Sequence, residues 1–370
     1  MTANPLKMLP GFGQSVWYDF IRRDMMTSGE LDRLIEEDGL RGMTTNPAIF
    51  QSAIGQGSLY DQDIVRAGLD LPAQAIFEAI AVEDVQMAAD RFRPVYDATN
   101  ALDGYVSIEV EPDLAYDTEA SIASARRLWA ACDRPNVMIK IPGTAEGLPA
   151  IQAALEEGIN VNITLLFGVE RYIEVMDVWF AAMENRQAAG KSVANIASVA
   201  SFFVSRVDSM IDAQLEGMGD NEEAQSAMHA MGVGNARLAY RAFEERFRTD
   251  RFERLAAEGA IIQRPLWAST STKNPDLPDT LYVETLIGED TVNTMPPATY
   301  DAYRDHGAPA VRVRAGLPEA EEAQRLLASL GVELPLVTRK LEEEGVEKFV
   351  SAFQSLLTTI REKSDALKAA

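Results

Sequence analysis

Val137-Met138-Ile139-Lys140-Ile141-Pro142 holds an aliphatic run, Val137–Ile141, with one charge set near its end. A run this short and this apolar, stopped by proline, reads as a strand buried on both faces. Helical periodicity precedes it over Thr118–Ala131 and follows it over Gly147–Glu157. A buried strand between two helices is the repeating unit of a parallel sheet.

The same unit recurs in both directions. Further β-rich runs are read at Ser15–Phe20, Gly42–Asn46, Tyr105–Val110, Val161–Leu166, Ser198–Val204, Pro265–Thr270 and Leu281–Leu286. Between them lie helical patterns at Gly29–Glu37 and Val169–Gln187, and a long helical insertion from Arg206 to Gly259. Eight strands with helical crossovers predict a single (β/α)8 TIM barrel spanning residues 1–370, with extra helices between the second and third strands and after the sixth. A doubly wound sheet stays open, although no Gly-rich dinucleotide loop follows an early strand. The tail from Pro318 to Ala370 has a charged helical pattern and is expected to pack across the barrel exterior.

Composition narrows the function. Lys and Arg total 34 against 57 Asp and Glu, a net charge of -23, which repels phosphate backbones and anionic lipid alike. Nucleic acid and membrane are therefore not expected as partners. No stretch of about 18 apolar residues appears, and Met1–Pro10 lacks the signature of a signal peptide, so a cytoplasmic location is expected. One cysteine, Cys132, allows no internal disulfide, and two histidines, His229 and His306, give too few soft ligands for zinc. A magnesium held by carboxylates stays open on counting alone, but no spacing marks one; the expectation is no metal and no cofactor. Cys132 reads as a small buried or half-buried side chain, the two histidines as surface residues, and Glu342-Glu343-Glu344 as a solvated helix face.

The polar residues on these strands are the informative ones. Lys140 is the only charge on its run. Glu109 alternates with aliphatics in Ser107-Ile108-Glu109-Val110, and Asn160, Asn162 and Thr164 share one face of their strand. Asp19 and Asn46 end their runs, and Ser201 lies within another. Singly each could be solvated or cap a turn. Six strand-end polar groups on successive strands match the way barrel enzymes collect catalytic groups at one face. Burying Lys140 or Glu109 alone would be costly, so a shared pocket is expected. Desolvation disfavours an ammonium, which makes the amine available to attack a carbonyl. The protonated imine then serves as an electron sink for cleavage of the adjacent carbon–carbon bond, and Asp19 and Glu109 are the carboxylates available to move protons.

Thr44-Thr45-Asn46-Pro47, Ser107-Ile108-Glu109-Val110, Tyr116-Asp117-Thr118-Glu119-Ala120-Ser121, Met138-Ile139-Lys140-Ile141-Pro142 and Gly158-Ile159-Asn160-Val161-Asn162-Ile163-Thr164-Leu165-Leu166-Phe167 occur in one order at one set of spacings. In this the chain resembles the transaldolases from about Ser15 to about Gly288. Arg264-Pro265-Leu266-Trp267-Ala268-Ser269-Thr270-Ser271-Thr272-Lys273-Asn274 is similar to their longer-chain branch, which also occurs fused to glucose-6-phosphate isomerase; no isomerase domain is expected in these 370 residues. The resemblance implies transfer of dihydroxyacetone between sugar phosphates through a lysine Schiff base in the non-oxidative pentose phosphate pathway. Sedoheptulose 7-phosphate or fructose 6-phosphate would be the donor, and glyceraldehyde 3-phosphate or erythrose 4-phosphate the acceptor. It makes Lys140 the Schiff-base residue and Asp19 the acid/base at the cleaved bond, with Glu109 and Thr164 holding the water of imine formation and hydrolysis. Asn46 and Asn162 would bind donor hydroxyls, Ser201 the dihydroxyacetone end, and Arg206 the phosphate. Lys273 stands where another branch has arginine, so it would meet a phosphate only as a point charge. In related short-chain aldolases a tyrosine stands in the place of Phe203. A phenylalanine has no proton to give, which favours transfer over release of free dihydroxyacetone, unless Phe203 is plain core packing. Two other functions stay open: a Schiff-base aldolase without an acceptor, and a non-catalytic sugar-phosphate-binding barrel. A monomer or small homo-oligomer is expected.

Overall fold

Side chains of a strand alternate between its two faces, and in a closed barrel those faces are the lumen and the ring of helices. The computed structural model, which describes residues 4–369, follows this rule throughout. Its strands are β1 (Gln14–Tyr18), β2 (Gly42–Met43), β3 (Tyr105–Glu109), β4 (Val137–Pro142), β5 (Val161–Leu166), β6 (Ser198–Phe203), β7 (Arg264–Ala268) and β8 (Thr291–Met295). Each pairs in parallel with the next, and β8 closes on β1 to give a (β/α)8 barrel. Outward positions such as Val16, Val106, Ile139, Ile163, Ala200 and Trp267 join one large core with the helices.

The inward positions are layered. At the N-terminal end Arg264 is buried in an ion pair with Asp103 at 2.9 Å and donates to Ser15 Oγ at 2.8 Å. The middle layer is apolar, formed by Trp17, Tyr105, Met138, Val199, Leu266 and Val292. Trp17 fills much of that layer because Gly42, on the next strand, has no side chain: a Cβ there would lie 2.5 Å from the indole. Above it, at the C-terminal ends of the strands, the inward residues turn polar. Register sets Glu109 beside Lys140 and Lys140 beside Asn162.

Seven of the eight expected runs overlap a strand. The eighth does not. Leu281–Leu286 has strand-like composition, but Leu281–Glu284 is a short helix whose Val283 and Glu284 amides bond to the Thr280 carbonyl. The closing strand is Thr291–Met295, where Thr291, Asn293 and Thr294 mask the apolar signal. The expected extra helices are present. Pro47–Gly55, Asp61–Ala67 and Ala73–Ala98 lie between β2 and β3. Ser205–Glu216, Glu222–Ala227, Met231–Phe247 and Asp250–Ala257 follow β6.

The tail is helical as expected, over Leu317–Ser329 and Leu334–Ala369, but its course differs. Instead of lying along the barrel exterior, the last helix crosses the C-terminal mouth, where Leu341, Val346 and Phe349 join a cluster with Leu165, Phe167 and Phe203. Two local features allow that approach. A register shift after Ile163 leaves Leu165 with φ 60°, turning it out of the ladder. Gly345 then lets the helix pass over it, because a Cβ there would lie 3.0 Å from Leu165 Cδ2. Glu342 is thereby half-buried and lies 3.5 Å from Arg171, so the acidic run is not wholly solvated. His229 is also half-buried, its Nδ1 2.6 Å from Asp212 Oδ2, because it turns the chain between two helices of the insertion. Cys132 is buried. Among the described residues no helix is long and apolar enough to cross a membrane.

Gly42→Ala forces a methyl group into the Trp17 indole at the centre of the barrel. The variant should lose about 1–3 kcal/mol of stability, seen as a lower urea midpoint with an unchanged m-value.

Candidate active site

The polar upper layer lines a cavity between the strand ends and the last helix. Asp19, Asn46, Lys140, Thr164, Ser201, Phe203, Arg206 and Lys273 all border it. At its base Lys140 is buried, with Nζ donating to the Thr45 carbonyl at 3.1 Å and lying 3.6 Å from Glu109 Oε2. Phe349 of the last helix lies over the amine, 5.5 Å from Nζ to the ring centroid.

Glu109 faces Lys140 from the neighbouring strand rather than lining the open cavity. Burial pushes its carboxyl up from 4.5 to about 7, against the opposing pull of Lys140. Neither carboxylate oxygen has a hydrogen-bond partner among the described residues, and neither does the buried hydroxyl of Thr164. A carboxyl and a hydroxyl of this kind beside an amine can hold one water and pass it a proton.

Asp19 follows the last residue of β1, its amide bonded to the Met295 carbonyl of the adjoining strand. Its Oδ1 accepts from Thr44 Oγ1 at 2.6 Å, and Thr44 Oγ1 in turn lies 2.7 Å from Thr294 Oγ1. With Thr44's one hydroxyl proton on Asp19, Thr294 is the donor in that second bond. Desolvation raises the Asp19 carboxyl above the usual range; Lys140, the Thr44 hydroxyl and Arg206 pull the other way.

The amides divide. Asn46 accepts from the Ile49 amide at the start of helix Pro47–Gly55, which leaves its Nδ2 hydrogens for a ligand at the cavity edge. Asn162 is beside Lys140 in the strand register and is fully buried. It donates to Ser107 Oγ at 3.0 Å and accepts from Ser201 Oγ at 2.7 Å, so it orients Ser201 and does not line the cavity.

Cations gather at the outer rim. Arg206 opens helix Ser205–Glu216 with its guanidinium 5.2 Å from the Phe203 ring centroid, and burial lowers its pKa. Lys273 sits on the loop after β7, donating to Ser271 Oγ at 2.7 Å; burial and nearby Arg206 lower its pKa. That loop is bent inward at Ser269, whose φ of 55° is unusual for a non-glycine residue, and whose carbonyl accepts from the Ser205 amide at 3.0 Å. Lys348 of the last helix lines the same cavity.

Sequence reasoning missed Thr44, Thr294, Lys348 and Phe349. Thr294 lies on the strand that was misplaced by the apolar decoy at Leu281–Leu286. Lys348 and Phe349 come from a helix whose periodicity does not reveal what its apolar stripe covers. No group of three or more His, Cys, Asp or Glu side chains suited to a metal ion occurs among the described residues.

The sequence matches the family model for transaldolase/fructose-6-phosphate aldolase over residues 16–360. It is 47% identical to a transaldolase of Mycolicibacterium smegmatis over 373 aligned residues, covering 100% of both chains. A transaldolase of Acidothermus cellulolyticus is 49% identical, over 97% of this chain and 96% of that one. A protein named transaldolase 2 from a Nostoc species is 46% identical over 98% of each.

An unfolded glutamate releases its proton near 4.5 and native Glu109 near 7. Between those values the native state holds the extra proton, so this group makes stability fall as pH rises, and the loss is complete above 7. Glu109→Gln removes the titration. The melting temperature of the variant minus that of the parent should climb from pH 4.5 to 7 and level off above; a flat difference would mean that the native carboxyl ionises in the ordinary range.

Proposed function

The chain belongs to the transaldolase/fructose-6-phosphate aldolase family, and from that premise we propose that it moves a dihydroxyacetone unit between sugar phosphates on Lys140. One observation carries the residue-level reading: a buried amine held 3.6 Å from one carboxylate at the base of a cavity walled by another. A binding protein has no need to desolvate an ammonium group beside Glu109 and Asp19.

In this reading the Lys140 amine attacks the ketose carbonyl to form a carbinolamine. Glu109, with a pKa near neutrality, protonates the departing hydroxyl, and water leaves as the protonated imine forms. Asp19 then takes the proton of the hydroxyl at the cleaved bond. The carbon–carbon electrons move into the imine, the shortened aldose leaves, and an enamine of three carbons remains on the lysine. When the acceptor aldehyde binds, the enamine carbon attacks it and Asp19 returns the proton to the new alkoxide. Water held by Glu109 and Thr164 hydrolyses the imine and frees the product. The raised pKa of Asp19 suits a group that must both take and give a proton in one cycle.

The ligand contacts follow the same logic. Asn46 and Ser201 are at hand for the hydroxyls of the bound unit, with Asn162 acting through Ser201. Arg206 and Lys273 supply positive charge for the phosphate at the rim of a chain whose net charge is -23. Phe203 is 6% exposed on the cavity wall and packs against Phe167 with the rings tilted, 5.1 Å between centroids. It presents no proton there, which supports transfer over release of free dihydroxyacetone. We read residues 1–370 as one domain, because the tail helix completes the cavity of the barrel. A cytoplasmic monomer or small homo-oligomer acting on sugar phosphates is the proposed setting.

Incubation with fructose 6-phosphate followed by borohydride should leave a three-carbon adduct on Lys140, read by peptide mass spectrometry. An unmodified Lys140 with label on another lysine would sink the assignment. Asp19→Asn should still form the trapped adduct, yet turn over about 100-fold more slowly or worse, because asparagine keeps the shape and cannot cycle a proton. Loss of trapping in that variant would move Asp19 to the imine-forming step.

A further inference from the structure

The roof of the cavity carries a residue that the reading above does not use. Lys348, Phe349 and Ala352 lie within little more than one turn of helix Leu334–Ala369 and all three line the cavity. Phe349 is 9% exposed and lies over Lys140, which fixes this turn of the helix relative to the reactive amine. Lys348, one residue earlier, keeps 59% of its side chain exposed. It borders the same space as Arg206 and Lys273.

Its only close partner among the described residues is Glu344, four positions earlier on the same helix, at 3.2 Å. An exposed pair of this spacing is among the weakest ion pairs in proteins, held in one geometry at the expense of two flexible side chains. A phosphate dianion offers three strong acceptor oxygens and outcompetes one carboxylate for a flexible ammonium. Arg206 is half-buried against the Phe203 ring, and Lys273 donates to Ser271 on its own loop. Lys348, on the last helix, can change partner without disturbing the barrel.

We propose that Lys348 is a third phosphate-binding cation, and that a substrate phosphate bridging it to Arg206 and Lys273 holds the C-terminal helix down over Lys140. This rests on the sugar-phosphate reading of the site. It goes beyond that reading by making the helix part of substrate recognition, so that an unphosphorylated sugar would meet the same catalytic groups under a looser roof.

Titration calorimetry with inorganic phosphate tests the idea without any turnover. Lys348→Ala should weaken phosphate binding by about 10-fold, the lower end of the range for one charge-assisted contact. Lys348→Arg should restore most of it. Glu344→Gln should tighten binding, because it frees Lys348, whereas a lysine that serves only the helix would give no gain there. Kinetics add a second readout: in Lys348→Ala the ratio of kcat/KM for fructose 6-phosphate over fructose should fall by a similar factor. Unchanged phosphate affinity in Lys348→Ala, or weaker binding in Glu344→Gln, would overturn the proposal. If Lys348→Ala has no effect while Arg206→Ala abolishes phosphate binding, the sugar-phosphate reading stands and only the third cation is wrong. If neither variant affects phosphate, both fail.

Discussion

Keeping the ammonium group of Lys140 out of water is the constraint to which the rest of the site answers. A charge removed from solvent needs compensation close by, and here it comes from the strand ends around the lumen. Glu109 on the neighbouring strand lies 3.6 Å away, while the Thr45 carbonyl takes one of the three ammonium hydrogens. Each compensating group is then itself buried and requires support. Asp19 has Thr44 behind it, and Thr44 has Thr294. The hydroxyl-rich ends of β2 and β8 are thus explained by the carboxylate they serve.

The acid of the site is set by the same burial. Glu109 sits where an ionised carboxylate is disfavoured by desolvation and favoured by the lysine 3.6 Å away, and the first effect is the larger. A group balanced in this way exchanges protons near neutrality, which a solvated glutamate does poorly. Farther out, the excess of acidic residues makes the rim exceptional. Arg206, Lys273 and Lys348 meet at one opening, drawn from a strand-end helix, a bent loop and the last helix. Their convergence is a property of the fold, since they are separated by 67 and 75 positions in the chain.

Much of this could be read from the sequence because strand periodicity reports directly on which side chains share a surface. Lys140, Glu109, Asp19 and Thr164 stood out as polar interruptions of apolar runs, and the runs set the barrel order. Composition and conformation part company near the closing strand. Leu281–Leu286 is apolar and β-branched enough to pass for a strand, yet its backbone closes a helical turn. Thr291–Met295 is the true strand, with Thr291, Asn293 and Thr294 placed along it. The course of the last helix was illegible for another reason. An apolar helical stripe states that something will be covered; what that is depends on a bulge at Leu165 and a glycine at 345, and neither carries a periodic signal.

The apolar layer built around Trp17 has a consequence for how the barrel can change over time. It separates the Arg264–Asp103 ion pair at one end from the Lys140 cluster at the other with a layer of apolar side chains. Side chains on opposite sides share no partner, and energetic effects at sites so divided add independently. The stability-bearing end of the lumen and the reactive end can therefore drift separately. A lineage could strengthen or dismantle the lower ion pair without altering the proton inventory above it, and could retune the chemistry without reopening the question of whether the barrel closes.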